Sequence, residues 1–170
     1  MSKPRKGRRK SELKKNRPVA PSSAPYEVEM IPSAEAVYRT LFQNMKDAEA
    51  RGEQASHHHT KFRMVQEAIK TFIPRNPIDK SFGLSGPLSN YFRIKKGRMR
   101  ICWAASSEKR KVTILFISET LRKEGDQNDP YVIFTKMAMS GDFDKFLGSM
   151  GLPTPPRSSF AAVAGSFQVQ

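Results

Sequence analysis

Residues Tyr91-Phe92-Arg93-Ile94-Lys95-Lys96-Gly97-Arg98-Met99-Arg100-Ile101-Cys102-Trp103 alternate apolar and cationic side chains about one glycine. A period of two belongs to a strand, so the stretch predicts two short strands joined at Gly97. Alternation puts Arg93 and Lys95 on one face of the first strand, with Phe92, Ile94 and Lys96 on the other. In the second strand Arg98 and Arg100 share a face, and Met99, Ile101 and Trp103 point away into a core. The hairpin is thus expected to gather four cations on one side of a sheet. Like charges at neighbouring strand positions repel by roughly 0.2–1 kcal/mol per pair. Such a face attracts an anion, and polyphosphate makes nucleic acid the first partner to consider.

Charge elsewhere agrees. The chain has 170 residues and a formal net charge of +14. Residues 1–18 hold nine Lys or Arg against one Glu, and the remainder is still basic. This balance favours a nucleic-acid or ribosome-surface partner over an acidic small molecule. The one cysteine, Cys102, cannot form a disulfide within the chain, reads as a small apolar core residue, and fits a reducing compartment. No apolar run approaches the roughly 20 residues of a membrane helix. The basic N-terminus has no apolar segment of a secretory signal. A soluble, cytoplasmic protein without a membrane partner is expected.

Residues 1–25 are Lys-, Arg-, Pro- and Ser-rich and read as a disordered basic tail. Tyr26 to Ile31 alternates as a first strand. Ser33 is the expected cap of a helix over about 34–50 carrying Val37, Leu41, Met45 and Ala48, which ends at Gly52. Ser56 is the expected cap of a second helix with Phe62, Val65, Ile69 and Phe72 on its apolar stripe, stopped by Pro74. Residues 74–90 read as a loop, 91–104 as the hairpin, and Lys111 to Ser118 as a central strand. A polar loop then leads to Asp129-Pro130, an N-cap with proline in the first turn, opening a helix that carries Tyr131, Phe134, Met137 and Ala138 and closes at Ser140-Gly141. A short amphipathic piece spans Phe143 to Met150, and 151–170 reads as a flexible tail. The expected fold class is α+β: an N-terminal strand and helical hairpin, a mostly antiparallel sheet of three to four strands, and a C-terminal helix, all within residues 26–150.

The residues alone point to a binding patch. There is no Ser-His-Asp order, no glycine-rich phosphate loop and no acidic metal clamp. His57-His58-His59 cannot converge on one metal, because successive helical residues point about 100° apart; they read as a solvated helix start. RNA permits phosphoryl chemistry without a metal, since its own 2′-hydroxyl can attack the adjacent phosphorus.

An ordered set of short motifs resembles the RelE/ParE superfamily of bacterial toxins, and within it the YhaV type. The set is Leu84-x-Gly86, Tyr91-Phe92-Arg93-Ile94-Lys95, Gly97-x-x-Arg100-Ile101-x-Trp103, Thr120-Leu121-Arg122 after an apolar strand, and Asp129-x-Tyr131-x-x-Phe134-x-Lys136-Met137. The resemblance spans about residues 26–150 and is densest over 84–140. It implies a toxin endoribonuclease that cuts mRNA, in one setting on translating ribosomes, and is held inactive by a cognate antitoxin. Operator DNA would be a partner only through that complex. RelE-type cleavage uses no metal and no other cofactor. It leaves a 2′,3′-cyclic phosphate and a free 5′-hydroxyl. By the same resemblance Lys95, Arg100, Arg122 and Tyr131 are the candidate catalytic residues. Arg93 and Lys95 fall where RelE has two hairpin lysines, Arg100 on its phosphate-clamping arginine, Arg122 on the arginine after the last strand, and Tyr131 on a C-terminal tyrosine. Arg93, Lys96 and Arg98 are the candidate RNA contacts; the arginine at 93 departs from the RelE pattern and implies an electrostatic role.

The chemistry fits those roles. A phosphorane carries more negative charge than its ground state, so converging cations bind it differentially. Lysine can exchange a proton at neutral pH, and arginine cannot. Two other functions remain open on the sequence: a ParE-like toxin that poisons gyrase without catalysis, and a plain RNA- or DNA-binding module.

Overall fold

A computed structural model describes residues 24–119, 125–155 and 157. The expected tails, 1–25 and 151–170, fall largely outside them, as does Arg122. Within this range the chain is α+β. Strand β1 (Glu27–Met30) leads into helices α1 (Pro32–Ala50) and α2 (His57–Glu67). The hairpin is β2 (Phe92–Lys96) and β3 (Met99–Ser106), followed by β4 (Lys111–Ser118). The four strands form one sheet in the order β1-β4-β3-β2. Only β1 runs parallel to its neighbour, β4, so the sheet is mostly antiparallel.

Pro32, not Ser33, begins α1, with Ile31 at the cap position. The ring presets the φ of a first helical turn, where a missing N–H costs nothing. The helix ends at Ala50 with Arg51 as its C-cap, and the chain turns away at Gly52, whose φ of +80° a side chain would oppose. Tyr38 and Phe42 of α1 both meet the ring of Phe62 on α2 at 5.3 Å between centroids.

The second helix departs from expectation beyond Glu67. It continues as a π-helical turn, Ala68–Phe72, and then a last α turn, α3 (Ile73–Arg75). Pro74 therefore lies inside the helical path rather than beyond its end. A π turn carries one more residue than an α turn, which shifts the hydrogen-bonding pattern ahead of the proline and rotates the residues after it about the helix axis. Ile69 remains buried, but Phe72 leaves the stripe and is 42% exposed.

Every residue of β3 is buried, so both faces of the sheet are covered. On one side α1 packs on β4, with α2 packed on α1. On the other lie α4 (Pro130–Ser140) and α5 (Asp144–Ser149). Phe134 of α4 is fully buried, with Tyr91 edge-on at 5.3 Å, Phe143 stacked at 5.3 Å and Phe116 of β4 at 5.8 Å. Asp129 caps α4 by accepting from the Tyr131 N–H at 2.8 Å, and Gly141 closes it at a φ of +85°.

Tyr91 is the exception in this core. Its hydroxyl is buried and finds no hydrogen-bond partner among the described residues. Burial pushes its ionisation up to about 12, with the Asp144 charge adding to the effect. A buried unpaired hydroxyl costs about 1–3 kcal/mol. Tyr91→Phe keeps the ring contacts with Phe134 and, at 6.1 Å, with Phe143, and removes that cost. Thermal denaturation of this variant is expected to show a Tm about 3 °C higher, the shift of roughly 1 kcal/mol in a domain of this size; a fall in Tm would contradict this account.

Candidate active site

The hairpin register places the cations. Lys95 lies directly across from Arg100, and Arg93 across from Cys102. Arg100 in turn pairs with Ser118, and Cys102 with Phe116. Directly opposed side chains share a face, so Arg93, Lys95 and Arg100 stand on the side of the sheet that carries α4. Capping at Asp129 and Pro130 fixes the first turn of α4, and Tyr131 projects from it against Arg93. The guanidinium of Arg93 stands 4.6 Å from the centroid of the Tyr131 ring, a cation–π contact.

These four side chains line one open cavity of about 460 Å³, together with Ser81, Phe82 and Ile94. Ser81 and Phe82 were not singled out by sequence. They belong to a 3₁₀ turn, Lys80–Phe82, and the chain then bridges to β2 through Gly83 and Phe92. An irregular loop against a sheet edge leaves no periodic signal.

Arg100 is only 6% exposed. Its Nη1 donates to the carbonyls of Gly97 at 3.1 Å and Met99 at 3.0 Å, which anchors the guanidinium beside the turn. Among the described residues no carboxylate pairs with Arg93, Lys95, Lys96, Arg98 or Arg100. Elsewhere on the surface, lysines and arginines do find acidic partners, as in Lys61–Glu119 and Lys111–Glu29. A buried guanidinium is desolvated at a cost of several kcal/mol. Left without a counter-charge, it is set up to take an anion from outside.

The expected four-cation face is corrected to three. Gly97 has a φ of +57° and sits with Arg98 in a two-residue turn, the connection whose first position calls for glycine. Arg98 is therefore a turn residue, and strand parity does not extend to it. It lines a separate groove with His57, Thr60, Lys61 and Met64. Lys96 lies on the opposite face from Lys95, with its amine 4.7 Å from the centre of the Phe72 ring. Arg122 lies outside the described residues.

The remaining candidates are settled by burial and position. Cys102 is buried, and burial pushes its thiol up to about 12, which keeps it protonated and inert. Trp103 is buried in the core and donates from Nε1 to the Pro77 carbonyl at 2.8 Å. His59 is held between Ser56 and Glu49, and no cluster of three metal-ligating side chains occurs among the described residues. No helix among them is long and apolar enough to cross a membrane.

Comparisons with known proteins bear on what this cavity does. Among curated proteins, none matches the chain. Several solved structures are similar over part of it. The RelBE2 toxin–antitoxin complex of Mycobacterium tuberculosis is 18% identical over 56% of this chain and 98% of the other, with a TM-score of 0.41. The isolated E. coli RelE toxin is 16% identical over 58% and 88%, with a TM-score of 0.38. Residues 30–150 match a family described as a toxin with endonuclease activity, of a toxin–antitoxin system. That match covers most of the chain and the whole cavity: the chain belongs to the YhaV family of toxins, endonucleases whose partner is a cognate antitoxin.

Proposed function

We propose that the protein is an endoribonuclease that cuts mRNA without a metal, and that the cavity on the α4 face is its active site. The observation that carries this reading is the convergence of Arg93, Lys95, Arg100 and Tyr131 on one cavity, with no carboxylate among its lining residues. A carboxylate there would repel a phosphodiester. Three cations and a phenol suit one whose charge rises in the transition state.

The 2′-oxygen forms a bond to the adjacent phosphorus as its proton passes to Lys95. The bond from phosphorus to the 5′-oxygen breaks, and that oxygen leaves with the electron pair and takes a proton from Tyr131. A 2′,3′-cyclic phosphate and a 5′-hydroxyl result. Arg100 holds the non-bridging oxygens. Its anchored, desolvated guanidinium needs little reorganisation as charge develops. Arg93 supplies a second fixed charge and steadies the Tyr131 ring. Neither arginine can move a proton at neutral pH, which leaves Lys95 and Tyr131 for that work. Arg122, outside the described residues, is kept as a further candidate cation on the resemblance alone, since it falls on the RelE arginine after the last strand.

The test is cleavage of mRNA by purified protein, free in EDTA and on translating ribosomes in magnesium buffer with the protein pre-treated with EDTA, with the new ends mapped. Cuts carrying 5′-hydroxyl and cyclic-phosphate ends are expected. Lys95→Gln and Tyr131→Phe should each lower the rate by about 10²–10⁴-fold, the range for general acid–base groups. A substrate with sulfur in place of the leaving 5′-oxygen needs no acid. It should restore Tyr131→Phe and leave Lys95→Gln slow. Intact RNA in both settings, or loss of activity in EDTA, removes the proposal.

A further inference from the structure

We infer that Phe72 and Phe82 form a stacking platform for nucleobases next to the cavity, an inference that rests on the proposed ribonuclease reading. Phe82 lines the cavity beside Arg93, Lys95 and Arg100. Its ring meets Phe72 edge-on at 5.8 Å and Trp103 at 5.8 Å. Trp103 is in turn stacked with Phe92 at an interplanar angle of 18°. A row of rings thus runs from the rim of the cavity around the β2 edge, and only its outer end is open. Trp103 is fully buried, Phe82 half-buried and Phe72 42% exposed.

Three features separate this row from ordinary core packing. Phe72 is turned outward by the π-helical segment, and π turns recur at functional sites. A phenylalanine left 42% exposed forfeits part of the stabilisation that full burial would give. The cation beside it is the Lys96 amine, 4.7 Å from the ring centroid and without a carboxylate partner among the described residues. A path from the cavity over the strand edge therefore passes Phe82, then Phe72, with a lysine at its far end. Alternating aromatic faces and cations are what single-stranded nucleic acid requires, since every base has a π-face and every linkage a charge. A peptide partner would find the rings but not a use for uncompensated cations along the same path, unless it were acidic.

The placement also gives Lys96 a role that the three-cation face does not. It stands on the opposite side of β2 from Lys95, too far round the strand to join Arg100 at the same phosphate. It suits a flanking phosphate of the strand that Phe72 stacks.

A 2′-O-methyl RNA of about 12 nucleotides, within the site sizes of single-strand binders, cannot be cut by the proposed route and serves as the probe. Fluorescence anisotropy is expected to show binding weakened by roughly five-fold or more in Phe72→Ala and kept in Phe72→Trp. The salt slope should be unchanged in Phe72→Ala and lowered by about 0.7 in Lys96→Gln, the loss of one phosphate contact. Replacing the bases by abasic positions should abolish the difference between wild type and Phe72→Ala. Phe72 is partly exposed and packs on Phe82, so the Tm of Phe72→Ala should fall by no more than about 4 °C, and the tryptophan variant guards against an indirect effect. Undiminished binding by Phe72→Ala overturns the inference, including the outcome in which that variant loses only a protein partner. No measurable binding by the wild type overturns it too. RNA cleavage measured on the same preparations separates the two claims: wild-type cleavage with Phe72-independent binding defeats the platform alone, and absence of cleavage defeats the ribonuclease reading.

Discussion

Arg100→Met is expected to abolish detectable cleavage in a multiple-turnover assay while the domain keeps its fold and its Tm. The expected fall in single-turnover rate is about 10²–10³-fold, the effect of removing one preorganised donor from a developing oxyanion. The starting point is the cost of burying the charge. Arg100 is 6% exposed, and no carboxylate pairs with it among the described residues. Two carbonyls, of Gly97 and Met99, are its described hydrogen-bond partners. Those bonds to a charged donor return about 1.5–3 kcal/mol each, which roughly offsets the several kcal/mol of its desolvation. Methionine fills the space of the stem without carrying a charge into the sheet. Stability is thus near balance between the two side chains, and function is not. Arg100→Lys is the sharper variant, because it keeps the charge and loses the fork that grips two oxygens; it should recover less than about a tenth of the lost rate. Added RNA or inorganic phosphate should raise the Tm of the wild type by mass action and raise that of Arg100→Met by less, since Arg93 and Lys95 still line the cavity. A methionine variant that unfolds cooperatively at lower temperature, or one that still cuts RNA, would show that Arg100 serves the sheet rather than the phosphate.

How much of the fold and the site is legible in the sequence depends on whether a local rule or a tertiary event decides each residue. Strand parity is local, and it is enough to put Arg93, Lys95 and Arg100 on one face and Ile101 and Trp103 in the core. Capping is local too: Asp129, Pro130 and Gly141 bound α4 as expected, which in turn fixes Tyr131 in its first turn. Parity fails at Arg98 because a two-residue turn consumes that position, and Gly97 alone does not say whether one residue or two form the turn. Periodicity fails at Phe72 for a different reason. A stripe drawn at 100° per residue holds only while every turn is an α turn, and nothing in Ala68-Ile69-Lys70-Thr71-Phe72 announces a π turn. Ser81 and Phe82 escape the sequence because they reach the cavity through one bridge between Gly83 and Phe92, a long-range pairing with no period. The description of an endonuclease leaves no place for the gyrase-poison and plain-binding alternatives, which composition could not separate from it, since all three need a basic surface.

Phe134→Ala should be the most destabilising substitution near the site, and it should remove activity without touching any residue that meets RNA. Phe134 is fully buried among Tyr91, Phe116 and Phe143. Through it α4 is tied to the sheet at Phe116 and to α5 through Phe143. A Phe→Ala change in such a setting costs about 3–5 kcal/mol in lost contacts and residual cavity. Domains of this kind are stable by about 5–15 kcal/mol in all, so the variant is left marginal. Tyr131 lies one helical turn before Phe134, so loosening α4 displaces the phenol from Arg93 and from the cavity. Urea unfolding should show a lower midpoint with an unchanged m-value, because the surface exposed on unfolding is the same. Phe134→Leu keeps most of the volume and should cost roughly 1–2 kcal/mol, with cleavage within a few-fold of wild type. The comparison decides between packing and chemistry. If Phe134→Ala is as stable as Phe134→Leu yet inactive, the ring acts on the reaction by some route other than holding α4. If it is unstable yet fully active at a temperature where it is folded, Tyr131 does not need its helix, and the proposed acid is the wrong residue.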